Sequence, residues 1–304
     1  MLVNFQDLKS KLNDIRTGKI KEGERVGVDA IDDYLRFKEG NFNVILGHAN
    51  VGKTTVVLYL MLLISKRLGK RWLVFSSENE AHSIARKLIE FLEQAPINKI
   101  DKETYEGHLN YVSEYFKIVD ATSLYTYRQL IELAVSLKKA WDYQGLLIDP
   151  YNSLVKDPEM SKSIGGHEYD YQACTEFRIF CKKYNIAIWL NTHANTNALR
   201  NRHSIGHEYA GHPIPPMASD VEGGGKFVNR ADDFIVIHRY IQHPTDWPYS
   251  QIHVRKVKEI ETGGRPTAID DPIKMRSIIG NVGFEIDGQP LLDKPIREQS
   301  NIPF

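Results

Sequence analysis

The sequence predicts an α/β fold with a mostly parallel sheet flanked by helices. Three observations point to it. Short apolar runs recur along the chain at 42–46, 72–75, 116–119, 146–148, 186–190 and 234–237. Helical stretches separate them, such as 126–141, where Leu130, Leu133, Ala134, Leu137 and Trp141 share one stripe. Continuous apolar strands joined through helices belong to a sheet buried on both faces, because the crossover helices cover it. Lastly, the runs at 251–257 and 282–286 follow without a clear helix between them, so the sheet is expected to end in an antiparallel portion.

Ahead of the first strand, Phe5, Leu8, Leu12 and Ile15 recur at helical spacing within 4–16. They predict a short amphipathic helix, followed by a polar linker over 17–25. A helix this short is marginal alone, so its stripe needs a partner surface, either its own domain or a neighbouring subunit. The expected organisation is a linker helix and linker over 1–24 and one large domain over 25–304.

Composition narrows the function classes. Of 304 residues, 42% are hydrophobic and 26% charged, the balance of a globular chain. Thirty-nine basic residues match 39 acidic ones, which excludes a polycationic protein that coats duplexes through net charge. A local basic groove stays compatible with that balance. The longest apolar run, 56–64, is too short to span a bilayer, and no signal-peptide pattern opens the chain. No membrane partner is expected, and the expected location is the cytoplasm. Cys174 and Cys181 lie seven apart in a helical pattern and read as buried reduced thiols. Residues 163–169 and 204–209 (SIGGHEY and SIGHEY) nearly match; both read as loop, and the match as chance.

The strongest local signal is Gly47-His48-Ala49-Asn50-Val51-Gly52-Lys53-Thr54, which fits G-x-x-x-x-G-K-[ST] without deviation. It follows an apolar strand and opens a helix over 54–67, the context this phosphate loop requires. Glycines let backbone N–H groups turn toward phosphate oxygens, and the helix N-terminus adds positive partial charge. Lys53 is expected on the β- and γ-phosphates and Thr54 on Mg2+, with Thr55 beside it. ATP or another nucleoside triphosphate with Mg2+ is therefore the expected ligand.

Two carboxylates complete the chemistry. Asp149 ends the run 146–148, on a strand expected beside the first, and is placed to reach the metal through water. Asp120 ends another strand and ranks second for that role. Glu78 follows the strand 72–76, where it could orient or deprotonate an attacking water; Glu80 is its rival.

In this order, these segments resemble the DnaB-type hexameric replicative helicases, above all the phage primase–helicase and Twinkle branch. The resemblance covers about residues 25–265 and implies a RecA-like P-loop NTPase core. It implies that Glu78 is the catalytic base. It also implies that His193, in Trp189-Leu190-Asn191-Thr192-His193, contacts the γ-phosphate and reports its loss to DNA-binding loops. Asp220-Val221-Glu222-Gly223-Gly224-Gly225-Lys226 resembles the family's glycine-bearing DNA contact. Its glycines permit close approach of the backbone to phosphates, and Lys226 would add a cation. The polar segment before it carries Arg200, Arg202, His203 and His207 and is read as a central-channel loop. His207 and His212 are five apart rather than the four of a zinc HExxH motif, so no metal is expected there.

The segment Val254-Arg255-Lys256-Val257-Lys258-Glu259 resembles the strand whose Lys and Arg, two residues apart, reach the neighbour's γ-phosphate. Here the pair is Lys256 and Lys258, so the finger position holds a point cation without a planar fork. Arg255 and Arg265 are the alternatives. The resemblance further implies a linker helix docked on the adjacent protomer and a homo-oligomeric ring, a hexamer, around single-stranded DNA. ATP turnover would drive translocation and strand separation in DNA replication, with a primase or helicase loader as a partner. No primase segment or collar domain fits into the first 25 residues, so the expectation is either a motor-only helicase, phage-encoded, or a piece of a longer protein. Two other readings are carried: a RecA/KaiC-type ATPase of recombination or repair, and a non-catalytic nucleotide-gated DNA-binding module.

Overall fold

The computed structural model describes residues 4–19 and 22–293. The two expected units therefore fall outside the described residues over 1–3, 20–21 and 294–304.

Helix α1 (Phe5–Arg16) forms where predicted, with the Asn4 side chain accepting from the Gln6 N–H. None of its residues is buried, and Phe5 is 71% exposed. The short helix α2 (Asp29–Asp32) precedes β1 (Phe42–Gly47). The chain then alternates through α3 (Lys53–Leu68), β2 (Trp72–Ser76), α4 (Ala81–Glu93), α5 (Lys102–Tyr115) and β3 (Phe116–Ile118). It continues with α6 (Tyr127–Ala140), β4 (Gly145–Asp149), α7 (Pro158–Tyr184) and β5 (Ala187–His193). After α8 (Lys226–Arg230) come β6 (Asp233–His238), β7 (Tyr249–Val257), β8 (Ile273–Ser277), β9 (Phe284–Ile286) and β10 (Gln289–Pro290).

The ten strands among the described residues form one sheet in the order β10-β9-β8-β7-β6-β1-β5-β4-β2-β3. From β6 to β3 the neighbours are parallel, and from β6 outward through β7, β8, β9 and β10 they are antiparallel. Strand residues divide by parity, as the pleat requires. Phe42, Val44 and Leu46 join a core with α6, α7 and α8, whereas Ile45 faces the core of α3, α4 and α5. Helix α3 is buried along 56–65, which is why its sequence is apolar all round rather than striped. Helix α6 starts at a capping box, in which Thr126 and Gln129 satisfy each other's backbone N–H.

Three sequence expectations need correction. The Asp149 strand does not lie beside β1, because β5 intervenes. The crossover through α3 carries the chain to β2, three strands from β1, and β4 and β5 later fill the space between. Residues 163–169 are not loop: they continue α7 through a non-helical Gly165 (φ 78°, ψ 156°). The antiparallel end also includes β8, which is half-exposed, and the exposed two-residue β10; neither carries an apolar run.

Beside the phosphate loop, histidines and tyrosines stack in the core. His48 meets His238 at 6.1 Å between ring centroids, and His238 meets Tyr240 at 4.6 Å. Tyr240 stacks on Tyr209 at 3.8 Å and hydrogen-bonds His203 at 2.9 Å. Tyr209 and His203 belong to a hairpin closed by the Arg202–Pro213 bridge. Burial lowers the pKa of His48, His203 and His238, and brings His253 on β7 down to about 3. The His253 imidazole stays neutral in the folded chain where the unfolded chain takes up a proton, near 6.5. Stability is therefore expected to fall as pH drops from about 6.5 toward 3, at up to about 1.4 kcal/mol per pH unit from His253, with His48, His203 and His238 acting in the same direction.

Two predictions follow from this packing. Tm should fall between pH 7.5 and 5, and His253→Gln should flatten that slope in calorimetric scans; an unaltered slope would contradict the burial assigned to His253. Gly145 pairs with the fully buried Trp72, and a Cβ there would fall 2.3 Å from the indole. Gly145→Ala should destabilise the fold by about 1–3 kcal/mol in urea titrations. A midpoint equal to that of the unsubstituted protein would mean the indole is free to move.

Candidate active site

The phosphate loop is shaped by its neighbours as much as by its own residues. At Gly47, a Cβ would approach the Ile237 carbonyl on β6 to 2.7 Å, so only glycine fits the strand end. Asn50 (φ 64°) and Gly52 (φ 82°) take left-handed conformations that turn the loop into α3. Lys53 opens that helix and is buried, with its ammonium 3.3 Å from His193 Nδ1. Burial lowers the Lys53 pKa, against the opposing charges of Asp149 and Glu78.

Asp149, at the end of β4, is fully buried. Its Oδ1 accepts from Asn191 Nδ2 at 2.6 Å, and its Oδ2 from Thr54 Oγ1 at 2.9 Å and Ser76 Oγ at 3.3 Å. Asn79 donates in turn to Ser76. The ends of β2, β4 and β5 and the start of α3 thus converge on one carboxylate.

His193 joins the other two charged groups. Its Nδ1 faces Lys53, and its Nε2 lies 3.2 Å from Glu78 Oε1. An ammonium only donates and a carboxylate only accepts, so both contacts are satisfied by a neutral imidazole with its proton on Nε2. Glu80 instead pairs with His82 on the surface, and exposed Asp120 accepts from the Thr122 N–H. The cleft is lined by His48, Ala49, Asn50, Gly52, Lys53, Thr54, Thr55, Glu78, Asn79 and His193.

Sequence reading passed over Ser76, Asn79, Asn191 and Arg239. Asn191 had a visible signal, since it is the residue at which the apolar run of β5 gives way to polar ones. Arg239 follows β6; its guanidinium lies near Gly52, donates to the Trp247 carbonyl and rests against the Trp247 ring. Only the spatial nearness of β6 to the phosphate loop reveals it.

The residues fit a magnesium nucleotide. Among the described residues, no group of three or more His, Cys, Asp or Glu could hold a metal ion. The pair placed to hold a metal is the Thr54 hydroxyl and the Asp149 carboxylate. Such a sparse set suits Mg2+, which takes its remaining ligands from water and substrate phosphates. Asn191 Oδ1 is a buried acceptor without a protein donor among the described residues, beside Asp149 where a metal-bound water would donate.

The remaining candidates lie apart from this cleft. Lys226 is not the exposed cation expected from sequence: it is 4% exposed, with its ammonium 3.0 Å from Asp170. Tyr151 and Lys156 also bind Asp170, and Phe227 packs into the core beside it, which draws Lys226 inward. Gly223 and Gly224 have φ of 93° and 91°, and open space surrounds the Cα of Gly224 and Gly225. Arg200 and Arg202 are exposed, and Arg202 also donates to the Gly211 carbonyl.

Of the candidate trans cations, Lys256 is committed to the Val228 and Ala231 carbonyls, each at 2.7 Å, where it closes the end of α8. Lys258 is 3.6 Å from Asp232, and Arg265 lies over the Tyr34 ring. Burial lowers the pKa of Arg255, and its Nε is without a partner among the described residues.

No protein-family model matches the chain. A Twinkle homolog protein, chloroplastic/mitochondrial, of Arabidopsis thaliana is 24% identical over 278 residues, which cover 86% of this chain. The chain spans 37% of that relative's length. The ATPase domain of G40P superposes with a TM-score of 0.73 at 13% identity, covering 93% of this chain and 99% of that one. A DnaB-like replicative helicase, solved with attention to its interactions with primase, superposes at 0.71 and 14% identity, covering 93% and 67%. A KaiC-like protein from Pyrococcus horikoshii and the RadB recombinase reach 0.53 and 0.51. In sequence the chain is similar to the Twinkle homolog, and its fold is the RecA-like ATPase fold of the G40P domain and the DnaB-like replicative helicase.

Proposed function

We propose that this chain is the ATP-hydrolysing motor of a DNA helicase, working on single-stranded DNA as a ring oligomer in replication. The observation that carries the reading is the polar chain Lys53–His193–Glu78 set beside the Thr54–Asp149 pair. One cleft holds a phosphate cradle, a metal-binding pair and a carboxylate for water.

The chain's own groups divide the work. Backbone N–H groups of the phosphate loop and the Lys53 ammonium hold the β- and γ-phosphates. Thr54 and Asp149 would hold Mg2+, which when bound neutralises charge on those phosphate oxygens. Glu78 orients the attacking water and accepts its proton at a carboxylate oxygen. A phosphate that draws the Lys53 ammonium leaves His193 Nδ1 without its donor, so His193 registers nucleotide occupancy. A cation from a neighbouring protomer completes charge stabilisation, with Lys258 and Arg255 as the candidates.

The open glycine backbone at 224–225, with Arg200 and Arg202, supports contact with strand phosphates. The exposed apolar side of α1 supports docking on an adjacent protomer. A primase or loader partner belongs to the same proposal, as does a cytoplasmic location; no helix among the described residues is long and apolar enough to cross a membrane. A RecA/KaiC-type ATPase shares the core, but the DnaB-type domains superpose more completely. The presence of Glu78 and Asp149 in one cleft disfavours a non-catalytic module.

Glu78→Gln should bind nucleotide with near-unaltered affinity while hydrolysis falls by about 100-fold or more. Calorimetric titration paired with phosphate release checks this, and turnover that survives would remove Glu78 as the base. Turnover per chain should also rise with protein concentration and with single-stranded DNA. Replacing the true trans cation should lower it by about a thousandfold, and Lys258→Ala and Arg255→Ala assayed side by side identify which residue acts. Full turnover in a dilute sample shown by sedimentation to be monomeric would rule out catalysis between protomers.

A further inference from the structure

Strand β4 carries the metal carboxylate and leads directly into a 3-10 turn, Tyr151–Ser153. The first two side chains of that turn reach the glycine segment 223–225 from opposite ends. On the downstream side, Tyr151 Oη donates to Asp170 at 2.8 Å, and Asp170 binds the Lys226 ammonium at 3.0 Å. Burial alone would raise the Asp170 carboxyl, but hydrogen bonds from Lys226, Tyr151 and Lys156 outweigh it and hold the pKa low. All three groups of this link are buried. It is a fixed anchor, because breaking a buried ion pair strands a charge away from water.

The upstream link differs. Asn152 Nδ2 donates to Glu222 Oε2 at 2.6 Å, and Asn152 Oδ1 accepts from Thr192 Oγ1 at 3.3 Å. Glu222 and Asn152 are exposed, so water competes for their bond and it can open at modest cost. The Glu222 N–H also donates to the His193 carbonyl at 2.9 Å, and Ala194 and Val221 form an antiparallel bridge. Thr192 and His193 thus hold Asn152 and Glu222 together, and His193 is the residue whose ring faces Lys53 and Glu78.

We infer that Asn152 is a positioning residue that latches the glycine segment, through Glu222, to the nucleotide-sensing end of β5. A shift of His193 on nucleotide binding or loss changes the separation of Thr192, Asn152 and Glu222. The buried Lys226–Asp170 link holds the far end still. The glycines between, two of them already at positive φ, take up the change in backbone direction. The latch rests on the proposed function in assigning nucleotide sensing to His193 and strand contact to that segment.

The test uses reciprocal substitutions on the full chain. Asn152→Asp keeps the acceptor for Thr192 but sets like charges against each other at Glu222. In Asn152→Asp/Glu222→Gln, the amide introduced at 222 donates to the carboxylate introduced at 152, so the bond returns with its direction reversed. Hydrogen exchange of amides 222–226 is followed with and without Mg2+ and a non-hydrolysable ATP analogue, alongside ATPase assays. The unsubstituted protein should show a nucleotide-dependent change there; Asn152→Asp should lose it, and the double variant should regain it. Turnover without DNA should stay within about twofold throughout, while stimulation by single-stranded DNA falls about fivefold in Asn152→Asp and recovers in the double variant. A purely structural role would lower Tm and leave the exchange response in place, which overturns the latch, as does a double variant that fails to recover. If exchange behaves as expected but DNA never stimulates turnover, the latch stands and the DNA reading falls.

Discussion

The buried carboxylate of Asp149 is the constraint on which the arrangement of the cleft depends. An ionised carboxylate with no exposure is tolerated only when donors surround it, and each lost donor leaves a charge poorly solvated. Its donors come from three places far apart in sequence: Thr54 at the start of α3, Ser76 at the end of β2, and Asn191 near the end of β5. Satisfying Asp149 therefore brings those ends together and sets the height of the phosphate loop above the sheet. His193 and Glu78, each two residues beyond one of those donors, are carried into place with them.

That dependence explains why a cleft on a parallel sheet edge can be both rigid and responsive. Below the edge, two apolar cores clamp the sheet from either face, and the strand registers leave little freedom. Above it, contacts become polar and partly exposed, such as Glu78 with His193 and Asn152 with Glu222. Bonds of this kind are worth little net free energy and exchange readily with water or a ligand. A nucleotide entering the cleft meets a fixed cradle bordered by contacts that are easy to rearrange.

How much of this was legible in the sequence depends on how local each signal is. The phosphate loop is contiguous, and the apolar runs of β1, β2, β4, β5 and β6 mark strands buried on both faces; all were readable. Glu78 and Asp149 were singled out because each ends or follows such a run, and His193 because of the family resemblance; the structure places the three beside Lys53 and Thr54. The neighbour of β1 was misjudged, since sequence order does not disclose that β5 would be inserted between β1 and β4. Lys226 illustrates the same limit. A lysine after three glycines reads as a free cation, and only Asp170, 56 positions away on α7, reveals that it is committed inside. The balanced net charge said nothing about either residue, because pairing is a property of the fold. Strands β8 and β10 escaped notice because short segments with exposed residues carry no apolar run.

The central claim is that Asp149, buried and held by Thr54, Ser76 and Asn191, is the protein's contribution to a magnesium–nucleotide site. Calorimetric titration of a non-hydrolysable ATP analogue, with and without Mg2+, into the unsubstituted protein and Asp149→Asn tests it most directly. The account predicts that Mg2+ raises affinity in the unsubstituted protein, and that Asp149→Asn binds the metal-free analogue comparably but loses that gain. An equal gain from Mg2+ in both proteins would contradict it.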